Sequence, residues 1–174
     1  MKNFIGTVLL FCLVSMGTSK TIHEPTLSTR WKRIGKLFKH KYGQSLMTVT
    51  LVLQHSNLKE LERYVAEVST PGSKSYGKHM TAEQVNQLTR PSTNTHNTVR
   101  RWLKMENLAG KTRTFQGGSA ITIEAPVEEI ERTFNTKVDM VTDGKKVKFR
   151  AAEYTLPEGI VDHVVAVFGL HGLP

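Results

Sequence analysis

Leu46-Met47-Thr48-Val49-Thr50-Leu51-Val52-Leu53 is the stretch from which the fold is read. Met47, Val49, Leu51 and Leu53 alternate with Thr48, Thr50, Val52 and Gln54, which is the period-2 pattern of a strand with one buried face. A helix is expected at once. Asn57 and Glu60 have capping-box spacing, Leu58, Leu61, Val65 and Val68 fall on one apolar face, and Pro71-Gly72 ends it. After the polar loop Ser73 to His79, Thr81 and Gln84 repeat the capping-box spacing, and the short helix they open stops before Pro91. A third helix runs from about Thr93 to Asn107, burying Val99, Trp102 and Leu103. Lys111 to Gln116 and Ser119 to Glu124 read as a hairpin across Gly117-Gly118. Pro126 suits a helix start, and Val127, Ile130 and Phe134 mark a fourth helix. A second hairpin, Thr136 to Thr142 and Lys145 to Arg150, turns at Asp143-Gly144.

That order predicts an α+β fold: a ferredoxin-like antiparallel sheet on a β-α-β-β-α-β plan, helices on one face, plus an extra short helix. The rest of the chain flanks it. Lys2 followed by the apolar run from Phe4 to Met16 and the small residues Ser15, Gly17 and Ser19 reads as a secretory signal peptide over 1–19. Residues 20–45 form a basic lead-in, in which Trp31, Ile34, Leu37 and Phe38 have helical spacing while Gly35 and Gly43 weaken a helix. A solvated lead-in with Trp31 docked on the domain is the preferred reading. The domain proper spans 46–155. A tail, 156–174, holds Leu156-Pro157 and the apolar run Ile160 to Leu170.

Composition narrows the chemistry. The single cysteine, Cys12, lies inside the signal, so the mature chain has no thiol for a disulfide, a nucleophile or a thiolate metal site. No Asn-x-Ser/Thr sequon occurs. The seven histidines are scattered without metal-ligand spacing. Glu128, Glu129 and Glu131 sit in the first turns of a helix, where carboxylates favour the dipole. No nucleophile stands in a recognisable catalytic context, so catalytic, cofactor and metal residues are expected to be none. A formal charge of +9 favours an acidic partner. Secretion and the lack of aromatic interleaving argue against nucleic acid, and the basic lead-in alone keeps a membrane surface as a minor reading.

The stretch Val68-Ser69-Thr70-Pro71-Gly72-Ser73-Lys74-Ser75-Tyr76-Gly77-Lys78-His79-Met80-Thr81 resembles a hallmark of the propeptides of sedolisin serine peptidases. The likeness continues through Arg90-Pro91-Ser92 and Val99-x-x-Trp102-Leu103, and closes with Leu156-Pro157, His163-Val164 and Gly169-Leu170-His171. It covers most of residues 24–174. The resemblance implies a ferredoxin-like propeptide that covers a peptidase active site, assists folding and is removed in acid. The family's catalytic and calcium-binding residues belong to the peptidase domain that would follow Pro174 and is read as absent here, so none is carried over; Gly117-Gly118-Ser119-Ala120 is not the family's Gly-Thr-Ser motif. The expected function is a stand-alone propeptide acting in trans as inhibitor or folding chaperone of a sedolisin-type serine peptidase of the tripeptidyl peptidase kind. Tyr76, Lys78, His79, His163, His171, Gly172, Leu173 and Pro174 are the expected partner-binding residues, with the Pro174 carboxylate entering the cleft like a product. The expected location is the secretory pathway, extracellular or lysosomal. The competing readings are a truncated or mis-split precursor and a secreted cationic membrane-binding module.

Overall fold

A computed structural model describes residues 19–23, 31–34 and 44–171. Its elements in chain order are β1 (Ser19–His23), β2 (Lys32–Ile34), β3 (Leu46–Leu53), α1 (Leu58–Ser69), α2 (Ala82–Thr89), α3 (Thr93–Met105), β4 (Thr112–Thr114), β5 (Ala120–Pro126), α4 (Val127–Thr133), β6 (Val138–Thr142), β7 (Val147–Ala151), β8 (Glu153–Pro157), α5 (Glu158–Val161) and β9 (Val164–Phe168).

The α+β expectation holds. The main sheet has the order β4-β5-β3-β9, with every neighbouring pair antiparallel. Taken as first to fourth strands β3, β4, β5 and β9, this is the 4-1-3-2 arrangement of a ferredoxin-like sheet. The fourth strand is not the one expected. The second hairpin, β6–β7, leaves the sheet and pairs through β6 with β2, while the place beside β3 goes to β9, from the apolar run assigned to the tail. β9 is Val-Val-Ala-Val-Phe, a β-branched run suited to a strand, and it takes the place beside β3.

One face of the sheet is packed. Met47, Val49, Leu51 and Leu53 of β3 join Ile121, Ile123 and Ala125 of β5 beneath Val99, Trp102 and Leu103 of α3 and Ile130 of α4. Phe134, at the end of α4, stands edge-on to Trp102 at 5.8 Å and to Tyr154 at 6.3 Å between ring centres. Tyr154, Leu156, Ile160, Val164 and Leu170 complete the core, so the stretch read as a tail is part of the domain through Leu170. The β9 exit is tight. Gly169 has φ +94°, and a Cβ there would collide with the Thr48 carbonyl oxygen.

Local signals fared unevenly. The Thr81–Gln84 capping box forms in both directions. Asn57 instead adopts a left-handed backbone with φ 55°, and its side-chain amide donates to Leu88 O at 2.9 Å, tying the start of α1 to the end of α2. The Gly117-Gly118 turn is a five-residue connection, 115–119, and both glycines have positive φ. The Asp143-Gly144 turn is a four-residue one, in which Asp143 Oδ1 accepts from the N–H groups of Lys145 and Lys146. In α1 only Val68 is buried, while Leu58 and Val65 of the expected apolar face are exposed.

The lead-in carries two strands. β1 pairs with β8, and Ser19, assigned to the end of the signal, lies opposite Pro157. Residues 32–34 are extended, not helical, because β2 hydrogen-bonds along β6. Trp31 is buried, with Lys148 Nζ 5.7 Å from its ring centre. Residues 1–18, Cys12 among them, lie outside the described residues, as do Leu37 and Phe38, so the expected signal peptide falls there.

Phe134→Ala is expected to lower unfolding stability by about 3–5 kcal/mol, because it opens a cavity between α3 and β8. Val165→Ala, at the irregular step of β9 and exposed, is expected to change it by no more than about 0.5 kcal/mol. Urea denaturation of both variants checks the contrast.

Candidate docking surface

Among the described residues, no helix or strand covers the face of the sheet turned away from α3 and α4. On β3 it carries Leu46, Thr48, Thr50 and Val52, the residues that alternate with the buried set. Strand register places Glu124 opposite Thr48, Thr122 and Phe168 opposite Thr50, and Ala120 and Ala166 opposite Val52. Arg113 of β4 lies opposite Thr122. Directly opposed residues share a face, so the surface is a strip of threonines, small apolar groups, two large hydrophobic side chains and the charged Glu124 and Arg113. Leu46 is 61% exposed and Phe168 is 62% exposed. Thr50 Oγ1 and Thr122 Oγ1 are 3.1 Å apart and hold the two central strands together across that strip. The strip is rigid because its other side is the core. It offers apolar anchors, hydroxyl donors and acceptors, and the carboxylate of Glu124. That inventory fits recognition of a protein surface.

The residues singled out from the sequence fall in three places. Tyr76, Lys78 and His79 lie on the α1–α2 connection. There Gly77 N–H donates to Val68 O at 3.0 Å, the Tyr64 hydroxyl donates to Lys78 O, and Tyr76 is 56% exposed. His163 precedes β9. Its Nδ1 is 3.1 Å from Thr95 Oγ1, and its carbonyl accepts from Gln54 N–H at 2.9 Å. His171 is half-buried against Tyr154, 4.6 Å between ring centres, and its Nδ1 donates to Ala151 O at 2.8 Å. Gly172, Leu173 and Pro174 lie outside the described residues. No hydrogen bond, ion pair or ring contact joins the Tyr76–His79 group to His163 or His171 among the described residues. Among those same residues no group of three His, Cys, Asp or Glu is placed to hold a metal ion. No helix among them is long and apolar enough to cross a membrane.

Leu46, Thr50, Thr122 and Phe168 were not singled out from the sequence. The signal was present in the alternation of residues 46–53, whose polar half defines a second face. What covers a second face is a tertiary question.

Two histidines have their protonation altered by their surroundings. Burial pushes His96 below the ordinary imidazole value near 6.5, and the nearby charges of Arg100 and Arg90 push the same way against a hydrogen bond to the Gly118 backbone. Burial also lowers His171, against its bond to Ala151.

Comparison with known proteins returns one family, described as "Pro-kumamolisin, activation domain", matched over residues 30–173. Tripeptidyl-peptidase 1 of Canis lupus familiaris is 30% identical over 181 residues, covering 98% of this chain and 31% of the relative. Tripeptidyl-peptidase 1 of Homo sapiens is 30% identical over 174 residues, covering 95% and 30%. Physarolisin of Physarum polycephalum is 33% identical over 135 residues, covering 75% and 23%. The chain thus spans about a third or less of these relatives.

Because the folded pKa values of His96 and His171 are lowered, the unfolded chain takes up protons first as pH falls. Their contribution to stability is present above about pH 6.5 and is lost as pH falls through the folded values. The urea midpoint is expected to drop between pH 7 and pH 5, and His96→Gln with His171→Gln should flatten that dependence. An equally steep dependence in the double variant would assign it to other groups.

Proposed function

Because the chain belongs to the pro-kumamolisin activation-domain family, we propose that its domain docks on a sedolisin-type serine peptidase and inhibits it in trans. The uncovered sheet face is the contact. The observation that carries this reading is that Leu46 and Phe168 are both more than half exposed on a sheet whose central strands bury their reverse side. Monomeric domains seldom leave large side chains together on a flat, rigid face without a partner. The family match gives the partner's class. The relatives' names denote peptidases, and the matched region in each is a minor part of the whole.

Burial of Leu46 and Phe168 supplies affinity, and the Thr50–Thr122 pair gives a polar, shape-defined centre. The formal charge of +9 favours an acidic peptidase surface and speeds encounter. Acid loosens the complex from both sides. The seven histidines gain charge as pH falls below their usual range, and partner carboxylates lose theirs further down. Delivery through the secretory pathway, to the extracellular space or the lysosome, would bring the two proteins together.

The test is inhibition of purified tripeptidyl-peptidase 1 by the full secreted chain from pH 7 to pH 4. Inhibition is expected near neutrality and should fade in acid. Leu46→Asp with Phe168→Asp, exposed positions whose replacement leaves the core intact, should weaken inhibition by about 30-fold or more. Inhibition untouched by the double variant would place the contact elsewhere, and a folded chain that inhibits at no pH would end the trans reading.

A further inference from the structure

Helix α3 carries an electrostatic arrangement that nothing around it balances. From Arg90 to Met105 the sequence holds Arg90, Arg100, Arg101 and Lys104 and no acidic residue. His96, Arg100 and Lys104 follow one another at i, i+4 and i+8, so they share one helix face. Like charges at that spacing destabilise a helix. Elsewhere helix charges are compensated. Arg132 of α4 pairs with Glu106 at 2.9 Å, Lys111 pairs with Glu129, and α1 interleaves Lys59 and Arg63 with Glu60, Glu62 and Glu67. Among the described residues Arg90, Arg100 and Lys104 have no acidic partner.

The cluster is also held in place. Arg100 Nη2 donates to Thr114 Oγ1 at 3.1 Å, fixing the guanidinium beside the β4–β5 connection. The His96 ring lies against Gly118 so closely that a Cβ at that glycine would sit 2.7 Å from Nε2. The charges facing His96 are Arg100 and Arg90, and the connection from Phe115 to Ser119 contributes no titratable group. At its start Phe115 is 66% exposed.

We propose that Arg90, His96 and Arg100, with Phe115 at their rim, form a docking site for an acidic polypeptide segment, an Asp- or Glu-rich loop or tail of a partner. Guanidinium groups match carboxylates two bonds at a time, and a preset guanidinium loses less freedom on binding. Phe115 gives an apolar neighbour side chain something to pack against, which a sulfated polysaccharide does not use. Three cationic groups, one of them titrating, are also few for a polyanion whose affinity comes from many neutralised charges. The site is on the helical side of the sheet, away from Leu46 and Phe168, so it stands or falls separately from the sheet-face contact.

The experiment follows the His96 ring by NMR through a pH titration of the full chain, with and without a decaglutamate peptide. It is run at about 10 mM salt, where screening extends over about 30 Å. A bound carboxylate stabilises the charged imidazole, so the His96 midpoint should rise with the peptide. Arg90→Gln with Arg100→Gln should abolish that rise and weaken peptide binding by about tenfold or more, whereas Lys145→Gln with Lys146→Gln, the same charge change on the β6–β7 turn, should weaken it less than about twofold. Equal losses in the two double variants would mean attraction by net charge alone. An unmoved His96 in the unmodified chain would overturn the site, and a response to heparin but not to the peptide would overturn the ligand class.

Discussion

Everything in this domain depends on the burial of one side of β3. Val49, Leu51 and Leu53 have no solvent exposure, and every layer of the fold touches them or their neighbours. β5 and β9 hydrogen-bond to the two edges of β3, so the strand is central and its buried face must be filled by α3 and α4. Among the described residues, that commitment leaves the opposite face of the same strands without a cover. A single period-2 pattern therefore specifies both the core and an exposed second face. The Gly169 approach to Thr48 shows how little slack remains where β9 closes the sheet.

Around this sheet the chain adds parts with weaker ties. The α1–α2 pair buries little beyond Val68 and Thr89; Asn57 joins the two helices through Leu88 O, and His55, just past the end of β3, bonds to Thr89 O. Within the β2–β6–β7 sheet, Arg33 of β2 pairs with Asp139 of β6, and Trp31 is buried beside Lys148 of β7. Parts of low local stability are the ones able to shift when a partner binds. The rigid sheet and the loosely tied periphery are consistent with a fixed docking face inside an adaptable frame.

Protonation links these layers. His96 joins α3 to the β4–β5 connection and His171 joins the β9 exit to β7 and β8, and both lie where burial disfavours the charged ring. Acid thus acts on the joints of the domain as well as on its long-range attraction to an acidic surface.

The strand at Leu46–Leu53, the Thr81–Gln84 cap, the helices covering the core and the α+β class were legible because each is written in residues close together in the chain. The propeptide likeness was legible for the same reason, as a run of local motifs. Asn57 departed from its expected role because its side chain found a partner thirty-one residues away at Leu88. β1 and β2 were hidden because strands of five and three residues with mixed polarity show no period of their own; they exist only through β8 and β6. The place beside β3 went to β9, through a pairing with a strand far away in the chain that no local window contains. The sequence by itself determined the central strand, the core helices, the fold class and the family. Only the tertiary structure decided which strand closes the sheet and which of its faces stays open, because burial and strand pairing are settled between segments far apart along the chain.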